Sequence, residues 1–132
     1  MKPKTFLTLS CLVMAAGCAQ FPFRESPEHV ARMRAAGEAY LACLAREAEK
    51  DPQSPASAED MASAAHARCW TAWEVYRSAA NANYIHNART PDEKQYARDR
   101  AEAHLREFEL EARRTLVDST IERTLKTRTP SP

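Results

Sequence analysis

Residues 41–70 read LACLAREAEKDPQSPASAEDMASAAHARCW, and this stretch decides the fold. It begins in a pattern of apolar residues at spacings of three and four, the mark of an amphipathic helix. Asp51-Pro52 then ends that helix, because a residue before proline is pushed out of the helical region. Pro52 to Ala56 form the turn. Ser57 is a good helix cap, and Asp60 three residues later approximates a capping box, so a second helix starts there. Cys43 and Cys69 stand at equal distances from Ala56. In an antiparallel helical hairpin turning at Ala56, that symmetry brings the two cysteines level with one another.

Working towards the N-terminus, Ser26-Pro27-Glu28 opens the first helix. Serine caps, proline suits the first helical position, and glutamate complements the positive helix end. Its apolar stripe is Val30, Met33, Gly37, Tyr40, Leu41, Leu44 and Ala48. Gly37 on this stripe allows a second helix to come close. In the second helix the inward seam is Ala62, Ala65, Cys69, Ala72, Tyr76 and Ala79, with Trp73 at its edge and Trp70 nearly opposite. The pattern fades around residues 83–87.

Towards the C-terminus, Thr90-Pro91-Asp92-Glu93 is the clearest helix start: a cap, a first-position proline and two acids. The third helix is expected from residue 91 to about 126, roughly 54 Å at 1.5 Å per residue. One stripe is Ala97, Ala101, Leu105, Phe108, Ala112 and Leu116. A second, on another face, is Ala103, Leu110, Val117, Ile121 and Leu125. The expectation is an all-α fold, a small antiparallel three-helix bundle running up-down-up over residues 27–127, with a long third helix and a frayed tail at 128–132.

The first eighteen residues, MKPKTFLTLSCLVMAAGC, have a different character. Lys2 and Lys4 make a basic start, and Thr5 to Ala16 an apolar segment of about twelve residues, within the size of a signal-peptide core. It is too short for a transmembrane helix, which takes about 20 apolar residues. The tetrapeptide Ala15-Ala16-Gly17-Cys18 resembles the lipobox of bacterial lipoproteins, with Ala15 where leucine is commonest. The resemblance covers residues 1–19 only. It implies that residues 1–17 are a cleaved signal peptide, that Cys18 carries the lipid, and that 18–26 are the lipidated N-terminus and linker. In Gram-negative lipoproteins aspartate after the cysteine tends to retain the protein in the inner membrane. Here Ala19 follows, which implies the outer membrane. In a Gram-positive host the same signal implies the outer face of the plasma membrane.

Without the leader about 115 residues remain, enough for one small domain. They hold 17 of the 19 Lys and Arg against 18 Asp and Glu. Both signs are interleaved, as in Arg98-Asp99-Arg100-Ala101-Glu102, so no basic stripe marks a nucleic-acid partner. Alanine dominates and Gly37 is the sole remaining glycine, a composition that favours helix. The linker of eight residues reaches at most about 28 Å, which keeps the domain near its membrane. Phe21 and Phe23 in it have two open readings, the membrane interface or the domain surface. Export to an oxidising compartment leaves Cys43 and Cys69 as a disulfide pair. The bland alternative is two buried thiols.

Candidate chemistry is thin. His66 lies near Cys69, with His86 and His104 elsewhere, but the tight local ligand pairs of structural zinc are missing, so no metal and no cofactor are expected. The histidines read as solvated. Cys–His catalysis needs a free thiolate, which a bridged Cys69 cannot supply. Trp73 precedes Arg77 by four residues, a spacing compatible with cation–π contact. The reading is therefore a non-enzymatic, membrane-anchored module that binds another envelope protein or itself, with Val117, Ile121 and Leu125 as the candidate partner surface. The alternative is a small-ligand or hydrolase-inhibitor lipoprotein using an aromatic surface around Trp70, Trp73 and Tyr84.

Overall fold

A computed structural model describes residues 26–50 and 56–128. The signal peptide, Cys18, the linker with Phe21 and Phe23, the turn at 51–55 and residues 129–132 lie outside the described residues. Among the described residues the chain is all-α, with four helices and no strand. These are α1 (Pro27–Glu49), α2 (Ala58–Arg68), α3 (Trp70–Ile85) and α4 (Pro91–Arg128).

The count of four corrects the expectation of three. The expected second helix divides at Cys69, whose backbone has φ −95° and ψ 14°. Its N–H is shared between the carbonyls of Ala65 at 2.9 Å and His66 at 3.1 Å, so the helix tightens for one turn. It resumes with Trp73 N–H donating to the Cys69 carbonyl at 3.0 Å. A ψ near zero belongs to the sparsely populated bridge region, not to a regular helix. No proline or glycine announces this break, because it sits where a side chain is tied to another helix.

Partners along α1 run in reverse order to α2 and α3. His29 stacks on His86, Gly37 meets Tyr76, Tyr40 meets Trp73 and His66, and Glu47 pairs with Arg68. Similarly Tyr84 and Tyr76 contact His104, while Glu59 reaches Arg113.

The start of α1 follows the proline at its first position, and Ser26, expected to cap it, makes no side-chain cap bond. In α2 the capping box forms: Asp60 N–H donates to Ser57 Oγ at 3.1 Å, and Ser57 N–H to the Asp60 carboxylate at 3.4 Å. The same device opens α4, where Glu93 N–H donates to Thr90 Oγ1 at 3.2 Å and Glu93 Oε2 accepts from Thr90 N–H at 3.1 Å and Arg89 N–H at 2.7 Å. Those backbone donors hold the Glu93 carboxyl below the usual range.

The core is built from small residues around a few large ones. Ala62, Ala65, Ala80, Ala97 and Ala101 are buried, and Tyr40 and Cys69 are each 1 % exposed. Beyond the break, Trp73 and Ala80 are the fully buried positions, and the expected Ala72 and Ala79 pack partly buried at the edge of the core, a small rotation of the seam. On α1, Ala36, Gly37, Tyr40, Leu44 and Ala48 face in, while Leu41 is displaced outward.

Candidate interaction surface

Two tyrosine–histidine pairs occupy the centre of the bundle. Tyr40 on α1 meets His66 on α2, with Oη to Nδ1 at 2.7 Å. Tyr76 on α3 meets His104 on α4, with Oη to Nε2 at 2.8 Å. Phe108 packs on Tyr76 with ring centroids 4.2 Å apart, and Trp73 lies 5.2 Å from Tyr40. Burial pushes both phenols up to about 12, helped by Glu109 beside Tyr40 and by Tyr84 beside Tyr76, while Arg113 works against the rise at Tyr40. Burial also lowers the His104 pKa against the pull of Glu107, with Arg100 adding to the drop. These groups satisfy one another, which is how polar atoms are accommodated in a packed interior.

The expectation of solvated histidines is therefore corrected for His66 and His104, whereas His86 is exposed. His66 and His104 are partly buried hydrogen-bonding partners of core tyrosines, and His29 and His86 stack at 4.5 Å. Sequence reasoning missed these pairs because their members stand 26 and 28 residues apart. The signal was the placement of each tyrosine on an inward seam, where its hydroxyl needs a partner. Among the described residues no group of three or more His, Cys, Asp or Glu gathers to hold a metal ion.

Cys43 and Cys69 are bridged, with the Cα atoms 5.9 Å apart. The expected symmetry of the hairpin brings them together, and Cys69 brings the break between α2 and α3 with it. The three aromatics of the alternative reading are not brought together. Trp73 is in the core at 6 % exposure and Trp70 is 51 % exposed, its ring 5.9 Å from His66. Tyr84 turns to His104, with centroids 5.6 Å apart. Arg77 is engaged by Glu74 at 2.5 Å.

On α4 the inward residues are Ala97, Ala101, Leu105, Ala112, Leu116 and Thr120. The second stripe points the other way. Leu110 is 65 % exposed, Ile121 47 % and Leu125 59 %, while Val117 is half-buried at the edge of the core. Thr120 extends the core one turn past Leu116 and bonds back to the Leu116 carbonyl at 2.8 Å. Between α1 and this part of α4 runs an open groove of about 520 Å³, lined by Leu41, Ala45, Phe108 and Ala112, with Glu49 and Lys126 also on its walls. A second groove of about 740 Å³ follows α1 and α3, over Ala36, Val75 and Ala79.

No helix among the described residues is long and apolar enough to cross a membrane. No protein-family model, curated protein or solved structure matches this chain.

Proposed function

We propose that this chain is a lipid-anchored, non-enzymatic module of the bacterial cell envelope. Cys18 carries the lipid, and the helical domain engages another envelope protein or a second copy through the outer stripe of α4. On this reading α2 and α3 together form one bent arm of an up-down-up bundle. Ala19 after the lipid cysteine favours the outer membrane, with the domain facing the periplasm.

The observation that carries the interaction role is the pair of opposed apolar stripes on α4. One is spent in the core, and the other leaves Leu110, Ile121 and Leu125 exposed along a single face, at about half of their surface or more. Soluble domains scatter single apolar residues over the surface, whereas contiguous ones mark association sites. The Cys43–Cys69 bridge supports a location outside the cytosol, where disulfides persist. A lipoprotein cysteine with two or more acyl chains anchors stably, where one chain would not.

Two experiments test the two halves. Cys18→Ser should move the protein from the detergent phase to the aqueous phase or leave it unprocessed. An intact mass of the wild type with no acyl group at residue 18 would sink the anchor. Ile121→Glu with Leu125→Glu, followed by crosslinking in the native envelope, tests the surface. The crosslinked species should disappear while the melting temperature of the monomer barely moves. A large loss of monomer stability would show the stripe to be core.

A further inference from the structure

We infer that the occupant of the outer α4 stripe is a second copy of this chain, with the two α4 helices lying parallel. The inference rests on the anchored-module reading and goes further by naming the partner and its direction. With 3.6 residues per turn, Leu110, Val117 and Ile121 fall within a sector of about 40°, with Val117 half-buried against the core and the other two exposed. Leu125 and Ala103 extend that sector in both directions, over roughly 33 Å. Glu107 and Arg114 interrupt it, and Glu111 pairs with the Arg114 guanidinium at 3.5 Å, so the apolar stem of Arg114 can lie on the ridge.

The flanks of the stripe carry opposite charges. Arg106 and Arg113 border it on one side, and Glu111 and Asp118 on the other; all four are exposed. Two parallel helices related by a two-fold along their axes bring opposite flanks together. Arg106 then meets Glu111 of the second copy and Arg113 meets Asp118 of the second copy, twice over, as in the flanking positions of a parallel coiled coil. An antiparallel pair would set the acidic flank against itself. In the single chain Arg113 turns to α2, where it contacts Glu59 at 3.3 Å and Ser63, exposed contacts that it exchanges for Asp118 of the second copy.

A stripe this narrow buries little, at the weak end of interface sizes below about 1,200 Å². Anchoring compensates. Two chains held in one membrane meet at an effective concentration in the millimolar range. They also point the same way, which is the direction the flanking charges favour.

The test uses the full lipidated chain in its own membrane, with single cysteines introduced by Leu110→Cys, Ile121→Cys and, off the stripe, Thr115→Cys. Mild oxidation should give covalent dimers from each of the first two variants alone and not from the third. Arg106→Glu in the Ile121→Cys background should cut the dimer yield several-fold, and adding Glu111→Arg should restore it. Dimers formed only when the Leu110→Cys and Ile121→Cys chains are mixed would overturn the parallel direction. Crosslinks only to a different protein would overturn the second copy as occupant while leaving the module reading intact. If the chain proves not to be membrane-held, the same oxidation at about millimolar soluble protein decides the matter: dimers from both stripe variants uphold the pairing without the anchor, and their absence overturns it.

Discussion

Gly37 and Tyr76 approach so closely that a Cβ at position 37 would press on the tyrosine ring. A Cβ built on Gly37 would lie 3.2 Å from Tyr76 Cε2 and 3.4 Å from Phe108 Cζ. Tyr76 has nowhere to go, since it is 2 % exposed, packed on Phe108 and hydrogen-bonded to His104. Alanine in a helix interior is ordinarily worth about 1 kcal/mol over glycine. Here that gain should be cancelled by the crowding. Gly37→Ala should leave the melting temperature level or lower it, and Gly37→Val should lower it clearly. A rise of several degrees in Gly37→Ala would show that the α1–α3 approach is looser than described.

The Tyr76–His104 pair sets a pH dependence. Burial lowers the folded pKa of His104 below its ordinary 6.5, so the folded state prefers the neutral ring. The unfolded chain binds the proton more readily. The contribution of this residue is therefore complete above about pH 6.5 and is lost as the pH falls through the lower folded value. His104→Gln keeps a hydrogen-bonding side chain without the charge. Thermal melts between pH 8 and pH 5 should show a smaller acid loss in this variant than in the wild type. Equal losses would mean that another group sets the acid limb.

The tyrosines act at the opposite end of the scale. Both Tyr40 and Tyr76 are raised from 10.0 to about 12, so their stabilising effect is present below pH 10 and declines as the pH rises towards 12. Tyrosinate absorbance should therefore develop in two stages. Tyr40 and Tyr76 should ionise only in the later stage, near pH 12 or on unfolding. A single stage near pH 10 would contradict the buried placement.

Helix boundaries and the disulfide were legible because their causes are local or symmetric. Proline, serine and threonine at the starts, and Cys43 and Cys69 about Ala56, carry their meaning in the chain itself. The one-stripe-inside reading of α4 also follows from spacing alone. The break at Cys69 did not, since its neighbours His66, Ala67, Arg68 and Trp70 are all compatible with continuous helix. Nor did the burial of Trp73. Periodicity placed it at the edge of the seam, and the rotation beyond Cys69 moved it inside. The Tyr–His pairs join residues on different helices, so no spacing rule within one helix reveals them.

The cap of α4 should matter more than its surface position suggests. Thr90 and Glu93 satisfy each other's backbone N–H groups, and the helix they start buries Ala97 and Ala101 within its first turns. Thr90→Ala should cost about 1 kcal/mol, the usual worth of such a cap. In a domain of this size that corresponds to a fall of about 4–8 °C in melting temperature. An unchanged melting temperature would mean that tertiary packing alone holds the start of α4.

The disulfide joins two features that are separable by experiment. It closes a loop with a sequence separation of 26 and so should stabilise by about 3–4 kcal/mol through the unfolded chain. It also holds Cys69, where the backbone leaves the helix and one N–H is shared between two carbonyls. Cys43→Ser, Cys69→Ser and the double variant should lose similar amounts of stability, because each loses the same single bond. Hydrogen exchange distinguishes the second role. If the tie maintains the break, amides near Cys69 should lose protection in Cys43→Ser beyond what global destabilisation explains, although Cys43 lies on another helix. Uniform loss across all four helices would assign the bond a purely entropic role. A Cys43→Ser protein as stable as the wild type would overturn both.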